Sequence, residues 1–509
     1  MTALESRGRR GPPAARRAFL LVLLLGLCLR LGLLMAYGPR PCFDSIHEYV
    51  PYARMIAGGT GWMSNAGLSE SAVPVTAFRM IGYPALIALA DAVAGAAWPW
   101  LLVSLQIAAS LLMVLLAMRL AAALAPDRPW AAPASGLLAA CGQTLVSDTA
   151  IQTDSLSAAG LAAFAVLSAL GALRRRALGP LAALGLGLLP AASFLLRENT
   201  DLTVLVFLPP ALAWILRAAP AAGRRLLLAL LVLAPLIAAN AAVLSWNAWR
   251  SGSAFATTGP QVILLQALMH AAWAGAPVLE GDGLLERSAR EVLAAKPHPD
   301  GFLAQDELFA VSQRLFEAGS DAVQISRRMA RAYLEAWARH PLGMLQGSLG
   351  NLSGELFFVL GDSGRLDLPD LLSLPAGRAD WASWGVALLL GALGLLLRGA
   401  SLAVTLGLLL SPLSAGSLAL AGRRRLGAAD WFRLYALAAG LAFLALHAVV
   451  HFEDRFLAPV EPLAIVAGVT GIAEALGRPG RAGAPAQGGT GAGLLSSAAS
   501  GESGGSRAR

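Results

Sequence analysis

The run Asp44-Ser45-Ile46-His47-Glu48-Tyr49 holds two carboxylates and an imidazole in one short polar stretch. The segment before it, Ala18 to Tyr37, is almost wholly apolar and reaches the roughly 20 residues that a membrane-crossing helix needs. An acidic cluster there stands at the membrane surface, where a lipid-borne substrate would react. Further along stand Arg79, Asp148, Asp154, Arg197, Glu198, His451, Glu453 and Arg455. Acids mixed with arginines suit a site that holds a phosphate and moves a proton. The planar guanidinium fork matches phosphate oxygens. A carboxylate acts as general base when a substrate hydroxyl lies within hydrogen-bond reach.

Each side chain also has an ordinary reading. Span ends are polar in any membrane protein, and for Asp148, Asp154, Glu198 and His447 that reading is preferred. Arg79 and Arg197 serve equally as arginines snorkelling to head groups. Tyr49 and Trp62 serve equally as interface aromatics. For Asp44, position favours chemistry.

The elements that must carry these residues are membrane helices. Of the 509 residues, 57% are hydrophobic and 14% charged, against about 25% charged in a soluble domain. Lipid offers the backbone no hydrogen-bond partner, so a helical bundle is expected. The alternation of an outer-membrane barrel is absent. The net charge of +8 comes from residues at span ends, so nucleic acid is not an expected partner. Cys28, Cys42 and Cys141 suggest neither a disulfide framework nor a metal site. The length of the first apolar segment, and Arg30 within it, argue for a retained span rather than a cleaved signal peptide.

Basic flanks put the N-terminus, 1–17, in the cytoplasm and the loop after the first span outside. The N-terminal membrane module is 18–246, with its first outer loop at 38–80. Ile81 to Ala96 is short and carries Pro84 and Asp91, which suits a re-entrant or interfacial helix. Spans are expected near 98–120, 131–147, 150–173, 178–196, 200–217 and 225–246. An outer segment, 247–380, follows, and its charged stretch Glu286–Arg339 reads as amphipathic interfacial helices. C-terminal membrane helices fill 381–476, near 382–398, 400–421, 431–451 and 456–475, before a disordered cytoplasmic tail at 477–509. The expected class is therefore an all-α polytopic membrane protein of about 11 to 13 spans.

Two blocks of residues resemble one family. The stretch from Asp44 to Gly61, with its Tyr49, Ala53 and Gly59-Thr60-Gly61, resembles the first outer loop of the GT-C glycosyltransferases. Its spacing is most like that of the dolichol-pathway and glycosylphosphatidylinositol mannosyltransferases. Arg79-Met-Ile-Gly-Tyr-Pro84 resembles the Arg-x-x-Gly-Tyr-Pro element shared with protein O-mannosyltransferase-like and aminoarabinose transferase relatives. His451-Phe-Glu-Asp-Arg-Phe-Leu-Ala-Pro-Val-Glu-Pro462 resembles the His-x-Glu-x-Arg-Phe-x-x-Pro-x-x-Pro element of the same mannosyltransferases. Ser45 stands where many relatives carry a second acid.

The resemblance implies a GT-C type bundle and an inverting transfer of mannose, or a similar hexose or pentose, from a polyprenyl-phosphate donor. The acceptor hydroxyl would lie outside the membrane, on a lipid-linked glycan, polysaccharide, glycolipid or protein. Asp44 would be the general base and Glu48 its helper. Arg79, Arg197 and Arg455 would hold the phosphate, with Glu453 orienting Arg455. His47, Tyr49, Tyr83, Asp154 and His451 complete the candidate site. No cofactor is expected; a divalent cation is not indicated and no metal ligands are assigned. The arginine-heavy composition suggests a bacterial inner membrane, with the active site on its periplasmic or extracellular side. The competing readings are a transporter or flippase of a lipid-linked glycan and a non-catalytic scaffold of an envelope-glycan assembly complex.

Overall fold

Leucine-rich helices with small residues at their contacts build most of this chain. The computed structural model describes residues 13–42, 45–59, 78–142, 144–197, 200–295, 305–353, 399–400, 402–413, 426–450 and 457–476. Asp44, Trp62, Glu198, His451, Glu453 and Arg455, the span expected at 382–398 and the tail lie outside the described residues. The chain is a helical membrane protein. Among the described residues, Arg16–Met35, Gly82–Leu124, Asp154–Leu173, Ala222–Ser251 and Ala428–Ala448 are long and apolar enough to cross a bilayer.

The N-terminal half runs α1 (Pro13–Tyr37), α2 (Val50–Ala57), α3 (Gly82–Ala94), α4 (Trp98–Leu124), α5 (Ala131–Ala140), the single turn α6 (Thr144–Ser147), α7 (Asp154–Leu173), α8 (Pro180–Leu196), α9 (Thr200–Ala218) and α10 (Ala222–Ser251). Two short strands, β1 (Arg40–Pro41) and β2 (Ala150–Ile151), pair in parallel, with Arg40 opposite Ala150 and Pro41 opposite Ile151. The 13 residues of α3 span only about 20 Å, too short for the hydrocarbon core. It packs against α4, to which a single 3-10 turn joins it. The span expected at 131–147 is instead two pieces, because the chain breaks between α5 and α6.

Bundle packing follows from the residue types. Leucines on α1 and α10, such as Leu21, Leu226 and Leu230, point outward, where lipid would meet them. Alanine is the commonest inward residue of α7: Ala158, Ala162, Ala163 and Ala165 are buried where the helix packs on α4, α8 and α9. Apolar association has little drive in lipid, so close contact between small residues carries the packing.

The 30 residues of α10 measure about 45 Å, more than a bilayer core needs. Its far end leads into a second helical unit, the outer segment of the expected topology: α11 (Gly259–Trp273), α12 (Leu284–Ala295), α13 (Gln305–Glu317), α14 (Ala322–Arg339) and α15 (Pro341–Ser353). Here the structure differs from the interfacial expectation. The apolar faces of α12, α13 and α14 close on α11, burying Leu268, Met269, Val292, Val311, Leu315 and Met329 in one core. Helix α11 brings Leu265, Leu268 and Met269 to this core, so it supplies the partner that the amphipathic faces need. Among the described residues, α15 leaves an apolar ridge exposed, formed by Leu342, Leu345 and Leu349.

The remaining helices are α16 (Leu402–Leu413), α17 (Ala428–Ala448) and α18 (Glu461–Leu476). Helix α18 packs on α4, α5 and α17, which closes the C-terminal part onto the N-terminal module. At the other end of this pair, Arg433 is held by Asp430, by Glu474 and, at 3.1 Å, by the Thr470 carbonyl.

Candidate functional site

The first outer loop is anchored from behind. Arg40 donates its backbone N–H to the Thr149 carbonyl at 3.0 Å and its Nη2 to Thr149 Oγ1 at 2.9 Å. The Cys42 thiol donates to the Ile151 carbonyl at 3.3 Å. Ser45, the departure from a second acid, has a local task. Its hydroxyl donates to the Cys42 carbonyl and accepts the Cys42 N–H, both at 2.7 Å, which ties Ser45 back to Cys42. From Ser45 the chain enters one π-helical turn, Ser45–Tyr49, and then α2.

That turn points Glu48 inward, where Arg79 meets it with Nε at 2.5 Å from Oε2. The Arg79 guanidinium lies 4.8 Å from the centre of the Phe78 ring and 5.3 Å from that of Tyr49, close enough for cation–π attraction. Phe78 itself belongs to the outer unit's core, edge-on to Phe309 with ring centres 5.8 Å apart. Met80, two residues on, is buried in the core of the bundle. Phe78, Arg79 and Met80 therefore tie the outer unit, the first outer loop and the membrane bundle together.

Beneath this pair is a small apolar cluster of Tyr49, Ala53, Tyr83, Ile87, Leu102 and Ile151, flanked by Leu156 and Leu196. Tyr49 meets Tyr83 edge-on at 5.1 Å. The Tyr83 hydroxyl donates to Gln106 Oε1 at 2.9 Å. The Gln106 amide in turn donates to the Ala150 carbonyl at 2.7 Å and to those of Ser147 and Asp148 at 3.2 Å. Tyr49 and Tyr83 are buried, so both support the loop from within. Gly82 makes this approach possible: a Cβ there would stand 2.3 Å from the Leu195 carbonyl oxygen.

Leu196 and Leu156 lead to the second acid–arginine pair. Asp154 opens α7, a helix N-terminus that favours an anion. Arg197 directly follows α8, and its Nη1 donates to Asp154 Oδ1. Of the residues singled out by type, the structure thus gathers Glu48, Tyr49, Arg79, Tyr83, Asp154 and Arg197 around one apolar cluster. His47 is part-exposed on the same π-turn. The Tyr52 hydroxyl is raised above its usual pKa by burial, with nearby Arg250 pulling the other way, so it stays protonated.

His447 does not join them. Its ring stacks on Phe443, with centres 4.4 Å apart, and its Nδ1 lies 2.8 Å from the Phe443 carbonyl, which makes it a core histidine of α17. Among the described residues, no three His, Cys, Asp or Glu side chains gather as a metal ion would need. Type and position gave no notice of Gln106, of Arg40 or of Glu461. Glu461 is buried at the first turn of α18, where a Cβ on Gly142 would stand 2.4 Å from its Oε1. With Ser110 and Thr144 it lines a narrow cleft between α4, α5, α7 and α18. No protein-family model matches this chain, and no curated protein matches it.

Proposed function

We propose that the protein is a GT-C type glycosyltransferase, passing a sugar from a polyprenyl phosphate to an acceptor hydroxyl on the outer side of a bacterial inner membrane. Asp44 takes the proton from the acceptor hydroxyl as its oxygen attacks the anomeric carbon. The bond to the lipid phosphate breaks on the opposite face, so the anomeric centre inverts. The departing phosphate gains charge that fixed cations must meet, and Arg79, Arg197 and Arg455 are the residues for that task. Glu48 and Asp154 hold Arg79 and Arg197 in place, as Glu453 would hold Arg455.

The observation that carries this reading is the pair of acid–arginine contacts, Glu48 with Arg79 and Asp154 with Arg197, the first of them four residues along the chain from Asp44. Arginines held by carboxylates are pre-aimed, which lowers the cost of meeting a phosphate. The sugar, written as mannose or a similar hexose or pentose, follows the resemblance of the two sequence blocks alone.

The test is turnover by purified protein in lipid, given a panel of polyprenyl-phosphate sugars and a bacterial lipid and glycan extract as acceptor source. The measured product is free polyprenyl phosphate. Wild type is expected to release it from one donor and folded Asp44→Asn from none. Folded wild type that releases none from any donor overturns the transferase. Release undiminished in Asp44→Asn removes Asp44 as the base.

A further inference from the structure

Arg30 lies within the first membrane span and is fully buried. An ionised side chain at membrane depth is costly and tends to mark function. A guanidinium has five N–H donors, and each one here has an acceptor. Nε donates to Asp148 Oδ2 at 2.6 Å. Nη1 donates to the carbonyls of Ala140 at 2.9 Å and Gly26 at 3.1 Å. Nη2 donates to Ser110 Oγ at 2.8 Å and, more weakly, to Thr144 Oγ1 at 3.5 Å. Asp148 also accepts the Ser155 hydroxyl. One cation thus gathers α1, α4, α5, α6 and the start of α7.

The two charges stand at the two roots of the strand pair. Helix α1 ends three residues before Arg40, so Arg30 sits on the element that delivers β1. Asp148 is two residues before Ala150, so it sits at the start of β2. Thr149, between them, is the residue that grips Arg40 by backbone and side chain. Beyond β1, Ser45 is tied back to Cys42 and opens the π-turn. The spacing between Arg30 and Asp148 therefore sets the register of β1 on β2, and that register sets where the turn stands.

Simple adhesion does not require charges. An apolar pair of similar size would join α1 to this loop at no greater cost. A fully matched guanidinium adds direction, because it accepts only one arrangement of its acceptors. We propose that Arg30, through Asp148, is a positioning residue that holds Cys42, Ser45 and the π-turn bearing Glu48 in their working place. The catalytic half of this inference rests on the transferase reading; the structural half does not.

The experiment uses the full chain in lipid nanodiscs and two paired variants. Arg30→Met with Asp148→Leu is the apolar swap. Arg30→Gln with Asp148→Asn is the neutral polar swap, read in the same way if the first fails to fold. Both remove the two charges together, so neither leaves a buried charge alone. The first readout is maleimide labelling of Cys42, mapped by peptide mass spectrometry and compared with the wild-type rate. The second is kcat and KM for the lipid donor.

A folded variant is expected to label Cys42 severalfold faster, as its thiol leaves the Ile151 carbonyl. Its kcat is expected to fall about 100-fold with little change in KM, the cost of a catalytic group moved by about 1 Å. Wild-type labelling and wild-type kcat in a folded variant overturn the proposal. Faster Cys42 labelling in a variant, with no turnover of any donor by wild type, upholds the positioning of the turn and discards the transferase reading instead.

Discussion

Arg79 reaches Glu48 across 31 residues of chain, its Nε 2.5 Å from the carboxylate, while its guanidinium lies against Phe78 and Tyr49. The two partners are not equally placed: the Arg79 side chain is 12% exposed and that of Glu48 only 2%. Removing Arg79 strands the deeper charge, whereas neutralising Glu48 leaves a cation with a path to water. Arg79→Met is therefore expected to cost about 3 kcal/mol of stability, and Glu48→Gln less than half of that. Denaturant unfolding in micelles measures both. Equal losses from the two substitutions would contradict this ordering.

Phe78 is buried in the core of the outer unit although it belongs to the first outer loop. Phe78→Ala is expected to cost about 3 kcal/mol, as for a buried aromatic cut to a methyl. The loss should fall on the outer unit. Limited proteolysis should speed up between α11 and α15, while the bundle's helical signal melts at the wild-type temperature. A uniform loss across both regions would show that Phe78 does not join two separable units.

Gln106 feeds three backbone carbonyls and accepts the Tyr83 hydroxyl. Tyr83→Phe deletes one of these contacts and is expected to cost about 1 kcal/mol. Gln106→Leu strips all of them and takes a buried donor from three carbonyls, so about 3 kcal/mol is expected. The ratio is the test, because packing alone would make the two substitutions similar.

Two glycines separate a rigid clash from a soft one. On Gly82 a Cβ would meet the Leu195 backbone carbonyl at 2.3 Å, and relief requires α3 to move from α8. On Gly142 it would meet only the tip of the Glu461 side chain, which can swing away. Gly82→Ala is expected to lose about 2 kcal/mol, in the range of overpacked cores, and Gly142→Ala clearly less. Thermal unfolding of the two variants side by side decides it.

Much of this architecture could be read from residue order. The long apolar runs announced α1, α4, α7, α10 and α17, because lipid forces each span to satisfy its own backbone within about 20 residues. The short, Pro-containing segment at 81–96 announced α3 in the same way. The polar stretch from Asp44 to Tyr49 and the arginines at 79 and 197 announced which residue types crowd the outer end. In each of these cases the signal is local: a length, a composition or a neighbour.

Tertiary structure decided who meets whom. Amphipathic spacing in α12 to α14 said that one face of each helix is apolar, but not that α11 would cover those faces instead of lipid. Asp148 looked like an ordinary polar residue in a turn, and Arg30 like an oddity within a span, until they met across 118 residues. Asp154 and Arg197 lie 43 residues apart, one opening α7 and the other just after the end of α8. Contacts at such separations depend on how helices cross, which follows from shape complementarity over whole surfaces and leaves no periodic trace in the chain. Residue types therefore carried the chemistry available to this protein, while the packing of α1, α4, α7 and α8 selected which acid holds which arginine.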